Sequence, residues 1–152
     1  MTIEESVLIN AGLKDIWKTF IDLTCWANWN TVASKAASGS GRLVEGERFT
    51  FCLRPFSIPI MIEPKIEEVI PREKVVWTGA KFGIFSRHEF HFQQAANGVL
   101  VTSRETFRGL PLLFGGVTFP EGMVRELTVG MLKDLKKAAE KEITRRGDTG
   151  TR

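Results

Sequence analysis

From Gly46 onward apolar and polar side chains alternate with a period of two, which predicts strands for much of the chain. GERFTFCLR sets Phe49, Phe51 and Leu53 against Arg48, Thr50 and Arg54. Further strands are expected at about 58–70, 74–80 and 83–94. In the last of these, Ile84, Ser86, His88, Phe90 and Phe92 share one face, with Phe85, Arg87, Glu89, His91 and Gln93 on the other. Asn97-Gly98 is a hairpin signal. Val99, Val101, Ser103, Glu105 and Phe107 then run back against Leu100, Thr102, Arg104 and Thr106. This is the pattern of an antiparallel meander.

The ends of the chain read differently. Residues 2–10 form a first strand, after which Leu13, Ile16, Trp17 and Phe20 recur at helical spacing. A short second helix follows, pointing Leu23, Trp26 and Trp29 inward, and the small, polar stretch 31–45 reads as a weak edge strand and a turn. A long helix is expected at about 120–145, striped by Val124, Leu127, Met131, Leu135 and Ala138 and widened by Met123, Leu132 and Ala139. Lysines near its C-terminus suit the helix dipole. The predicted class is α+β: a curved antiparallel sheet of seven strands, two short helices between strands 1 and 2, and one major C-terminal helix. With no repeat and no internal linker, residues 1–143 form one domain and 144–152 a disordered tail.

Composition changes this picture little. The chain has 152 residues, 43% hydrophobic and 26% charged, which excludes a disordered or fibrous protein. The net charge of +3 invites a nucleic-acid reading. However, the tail TRRGDTGTR holds three Arg against one Asp, and the rest alternates in sign without a basic reading face. Nucleic acid is therefore not an expected partner. No window approaches the ~20 apolar residues of a transmembrane segment. The start MTIEESVLIN has no basic n-region or apolar h-region, and two cysteines make no disulfide scaffold, so a cytoplasmic setting is expected.

Four separated stretches carry a family resemblance: D-L-T-C-W-A-N-W-N at 22–30, L-V-E-G-E-R-F at 43–49, V-I-P-R-E-K-V-V-W-T-G at 69–79 and R-E-T-F-R-G at 104–109. In this order they resemble the START/SRPBCC superfamily, in particular its polyketide cyclase/dehydrase-like branch, related in fold to the birch-pollen allergen type. The resemblance spans about residues 3–143. It implies a sheet gripping the C-terminal helix, with an apolar cavity between them whose mouth is rimmed by the segment 109–120. Members range from lipid and hormone carriers to cyclases and chaperone activators, so it implies a fold rather than one activity.

The sharpest candidate chemistry is a pair. If the hairpin pairs Phe92 with Val99 or Val101, His88 lands opposite Ser103 or Glu105, on the face assigned to the cavity. A carboxylate beside an imidazole orients the ring and favours its charged form, as general acid–base catalysis needs. The plainer reading is that two half-buried polar groups satisfy each other across a sheet. His88 and His91 stand i, i+3 on a strand, on opposite faces, and no CxxC or HExxH occurs, so no metal is expected. No G-x-S-x-G elbow is present, Cys25 and Cys52 show no recognisable catalytic partner, and SGSGRLVEG matches no phosphate loop. The sequence contains no Tyr, which excludes a phenolic acid.

Among the aromatic residues, Trp26, Trp29, Trp77, Phe49, Phe51, Phe90, Phe92 and Phe107 read as core or as cavity lining. The resemblance favours lining for the strand phenylalanines and for Met123, Leu127 and Met131. Gly130 makes room mid-helix either for a ligand or for a close neighbour. The loop 109–120, with Leu110, Leu112, Leu113, Phe114, Val117 and Phe119, packs on the sheet end, forms a lid, or touches a membrane or partner.

The expected function is binding of a small hydrophobic or amphipathic molecule in the cavity. Phe51, Trp77, His88, Phe90, Phe92, Ser103, Glu105, Phe107, Met123, Leu127 and Met131 are the contacting residues, and no cofactor is implied. The alternative is a cyclase or dehydratase using His88 as acid/base, oriented by Glu105. A third class, a surface interaction module, would show a strongly charged sheet face, which the sequence lacks.

Overall fold

The computed structural model describes residues 1–109 and 120–149. β1 (Thr2–Ile9) is followed by α1 (Leu13–Ile21) and a short α2 (Trp26–Trp29). β2 (Ser34–Ser38), β3 (Phe49–Leu53), β4 (Ile60–Ile62) and β5 (Lys65–Ile70) come next. β6 (Lys74–Lys81), β7 (Ile84–Ala95) and β8 (Gly98–Gly109) complete the strands, and α3 (Glu121–Thr149) is the long helix. It takes in positions 144–149, part of the segment read from the sequence as a tail.

The single seven-stranded sheet is corrected to eight described strands in two antiparallel sheets, β1-β8-β7-β6-β5 and β2-β3-β4. The cause is Pro64. The run expected as one strand at 58–70 breaks there, because proline has no N–H to give to a ladder. Before it, β4 pairs with β3 through Phe51↔Ile62 and Leu53↔Ile60. After it, β5 pairs with β6 through Lys65↔Thr78 and Ile70↔Lys74. The sheets stay joined at this corner. The Phe49 N–H donates to the Pro64 carbonyl at 3.2 Å, Ile66 to Glu47 at 2.9 Å and Gly46 to Ile66 at 2.8 Å.

α1 lays its apolar stripe on the inner face of the larger sheet. Ile16 and Phe20 are fully buried, and the Phe20 ring meets Trp26, Trp77, Phe90 and Phe92. The helix stops at Asp22, whose carboxylate accepts from the Thr24 N–H at 3.0 Å and the Thr24 hydroxyl at 2.5 Å, capping the next turn. The β7–β8 connection lies one residue earlier than the sequence signal, since Ala95 pairs with Gly98 and leaves Ala96 and Asn97 as the turn. Gly98 has φ 142°, and a Cβ there would lie 2.2 Å from the Ile9 carbonyl oxygen. β1 comes that close only because the residue is glycine.

α3 contributes Met131, Leu132, Leu135 and Ala139 to the core. Polar ties fix it to the start of the chain. Lys136 donates to the Leu8 carbonyl at 2.8 Å, the Asn10 N–H to Glu140 at 3.0 Å, and Arg125 to Glu5 at 2.7 Å. Thr31 donates its N–H and hydroxyl to Asp134 at 2.8 and 2.7 Å. A Cβ on Gly130 would lie 3.2 Å from Val32 Cγ2, so the mid-helix glycine leaves room for that side chain.

Candidate functional site

Between the sheets and the first turns of α3 lies a cavity of about 630 Å³. Its walls follow from the alternation of the strands. Phe51 and Leu53 reach it from β3, Trp77 from β6 and Phe107 from β8, facing Met123, Leu127 and Met131 of α3. An α-helical stripe at i, i+4, i+8 presents those three side chains on one face.

One wall carries polar chemistry. The register Phe92↔Val101, Phe90↔Ser103, His88↔Glu105 sets His88 directly across the hairpin from Glu105. The His88 Nδ1 lies 2.6 Å from Glu105 Oε2, and its Nε2 lies 2.7 Å from Ser103 Oγ. Trp77 and Phe90 hold the ring from the sides, with centroids 5.2 and 4.3 Å away. The His88 and Glu105 side chains keep 13% and 15% exposure and line the cavity, while Ser103 is fully buried. Both ring nitrogens are therefore occupied. Lys81, also on the wall, donates its ammonium to the Met61 carbonyl, and the Thr128 hydroxyl turns back to Val124 at 3.0 Å.

Of the residues expected from sequence, Phe51, Trp77, His88, Glu105, Phe107, Met123, Leu127 and Met131 line the cavity. Phe90, Phe92 and Ser103 are not on its wall. Phe90 and Phe92 pack against Phe20 at 4.8 and 5.3 Å, with Trp17 edge-on to Phe92 at 5.2 Å. Sequence reasoning missed Val32 and Ala33, which follow α2, and Ile60 and Met61 of β4. Pro64 is the signal that could have separated β4 from β5; Val32 and Ala33 have none. The loop 109–120 lies outside the described residues except at Gly109 and Pro120, of which Pro120 reaches the cavity.

Other chemistry is sparse. Among the described residues no group of three or more His, Cys, Asp or Glu could hold a metal ion. His88 and His91 occupy opposite faces of β7, His91 being 44% exposed and 3.8 Å from Glu89. The Cys25 thiol donates to Asp22 at 3.3 Å. That hydrogen bond, then burial, pushes the thiol up and works against a thiolate nucleophile, while the Thr24 hydroxyl above all holds the Asp22 carboxyl down. Cys52 is buried.

Over residues 1–140 the chain matches the family model described as polyketide cyclase / dehydrase and lipid transport. Among solved structures, the di-domain ARO/CYC StfQ from the steffimycin biosynthetic pathway superposes with a TM-score of 0.75 at 14% identity, covering 94% of this chain. The chain spans 52% of the StfQ chain, about half its length. Ara h 8.0201 gives a TM-score of 0.71 at 12% identity, over 93% of this chain and 98% of that one. A START superfamily protein from Mycobacterium smegmatis gives 0.66 at 12% identity, over 95% and 97%. At such identities the likeness is one of fold. No curated protein matches the chain in sequence.

Proposed function

Because the chain belongs to the polyketide cyclase/dehydrase and lipid transport family, we propose that it binds a small hydrophobic or amphipathic molecule, a lipid or a polyketide-like or aromatic compound, between its sheets and α3. The observation that carries this reading is the cavity of about 630 Å³ walled by Phe51, Trp77, Phe107, Met123, Leu127 and Met131. Its volume falls in the range of sites that enclose small molecules. Affinity comes from removing apolar ligand surface from water, about 25 cal/mol per Å² before the costs of association. Among the described residues no helix is long and apolar enough to cross a membrane. The unpaired Cys25 and Cys52 support a cytoplasmic location, and the family match supports one domain at about 1–143.

Native mass spectrometry of the purified protein, followed by organic extraction, tests the reading. A discrete apolar adduct, or uptake from a panel of fatty acids, flavonoids and polyketide-like aromatics, is the expected result. A clean apo mass with no uptake from the panel counts against it.

A second reading, a cyclase or dehydratase, is favoured by the Glu105–His88 contact on the cavity wall. It requires His88 to exchange a proton with the ligand, and therefore to release Ser103 or Glu105 during turnover. Full turnover by His88→Gln would end this assignment.

A further inference from the structure

The chain of contacts from Ser103 through His88 to Glu105 has a direction. Ser103 is fully buried behind the cavity wall, and Glu105 stands on it. Glu105 Oε2, 2.6 Å from Nδ1, accepts from the ring N–H. The other ring nitrogen, Nε2, is held by the Ser103 hydroxyl at 2.7 Å. The contacts thus run from a buried hydroxyl to a carboxylate on the cavity wall. Among the described residues none donates to the other oxygen, Oε1. The cavity wall that Glu105 shares includes Trp77, Phe107, Leu127 and Met131.

A carboxylate oxygen in such surroundings gains most from a hydrogen-bond donor that arrives with the ligand. We propose that Glu105 is the group that anchors the ligand, that His88 is its positioning residue, and that the cavity selects apolar molecules bearing a hydroxyl over the corresponding carboxylic acids. This rests on the binding reading above and reverses the roles that the sequence suggests for the pair. The ring cannot address a ligand while both its nitrogens are held, whereas Glu105 can do so without breaking any contact. A ligand carboxylate at that oxygen would meet the Glu105 charge at short range, while the Lys81 ammonium on the same wall is held by the Met61 carbonyl.

Three probes of one shape separate the terms: 2-naphthol, naphthalene and 2-naphthoate, titrated calorimetrically at neutral pH. Naphthol is expected to bind the native protein about tenfold or more tightly than naphthalene, the size of a hydrogen bond to a charged group. Equal affinities of naphthol and naphthalene overturn the inference without any substitution. Naphthoate binds weakest, partly because its charge must shed water, so the decisive quantity is the naphthol-to-naphthoate ratio in Glu105→Gln. The desolvation cost persists in that variant while the repulsion is gone, and the ratio is expected to fall about tenfold or more. An unchanged ratio in a folded variant overturns the role of Glu105 but leaves cavity binding standing. Binding of none of the three, or binding undiminished in Leu127→Trp, overturns the cavity reading itself and the anchor with it.

Discussion

The inner face of the β7–β8 hairpin carries one alternation and meets two fates. Near the turn, Phe90, Phe92, Val99 and Val101 are excluded from solvent, and Trp17 and Phe20 of α1 occupy the space above them. Towards the open end, Ile84, Ser86, His88, Glu105 and Phe107 continue the pattern but face the cavity. α3 divides likewise: Leu132, Leu135 and Ala139 pack into the core, whereas Met123, Val124 and Leu127 border the cavity. Period two therefore fixes which side chains face inward, and the reach of a nine-residue helix decides whether anything fills the space they face.

The most direct way to break this comparison is to delete equivalent bulk at the two ends. Phe20→Ala removes the ring at the centre of the packed end and is expected to cost about 3–5 kcal/mol in urea denaturation. Leu127→Ala, bordering a cavity already present, should cost no more than about 1–2 kcal/mol. Equal losses would mean that the ends are packed alike. Adding bulk sharpens the contrast: Val101→Phe overpacks the closed end at about 1–3 kcal/mol, while Leu127→Trp fits into open space with a smaller loss.

How much of this was legible follows the same division. The alternation from Ile84 to Phe107 placed His88 and Glu105 on one face, and the structure pairs them directly across the hairpin. The alternation gave Phe90 and Phe92 the same status as Phe107, because a side chain's face is local information. What stands opposite it depends on α1, distant in sequence. Pro64 was visible, yet the apolar run around it reads as continuous, so β4 and β5 merged into one strand and the second sheet was missed. Trp26 carried an aromatic signal, and Val32 and Ala33 carried none, since a non-repeating segment after α2 leaves no period to read.

The packed end also holds the seam between α3 and the start of the chain, which supplies a smaller, pH-dependent test. The Lys136 ammonium foremost, and then the Asn10 N–H, hold the Glu140 carboxyl below its usual range, against burial, which raises it. A carboxyl depressed by folding stabilises the fold above its unfolded pKa, and that contribution is lost as pH falls through the folded value. Glu140→Gln is expected to cost under about 1 kcal/mol at neutral pH. The gap to the native protein should close as pH falls through and below the ordinary carboxylate range, as urea titrations across pH would show. A gap that persists in acid would identify lost packing instead.

The smallest structural effect is expected where α1 ends. Asn caps a turn about as well as Asp, so Asp22→Asn should shift stability by only a few tenths of a kcal/mol. The thiol beside it responds more. In the native protein Cys25 donates to the Asp22 carboxylate, which disfavours a second negative charge on sulfur and so raises the thiol. Removing that charge lowers the thiol towards its ordinary value and increases the thiolate fraction at neutral pH. Alkylation of Cys25 by iodoacetamide, followed by peptide mass spectrometry, should accelerate roughly threefold or more in Asp22→Asn. Cys52, buried in β3, serves as the internal reference. If both cysteines accelerate together, the substitution has loosened the fold beyond the end of α1, as far as β3. If Cys25 alone responds, the local charge governs the thiol and the helix still ends at residue 22.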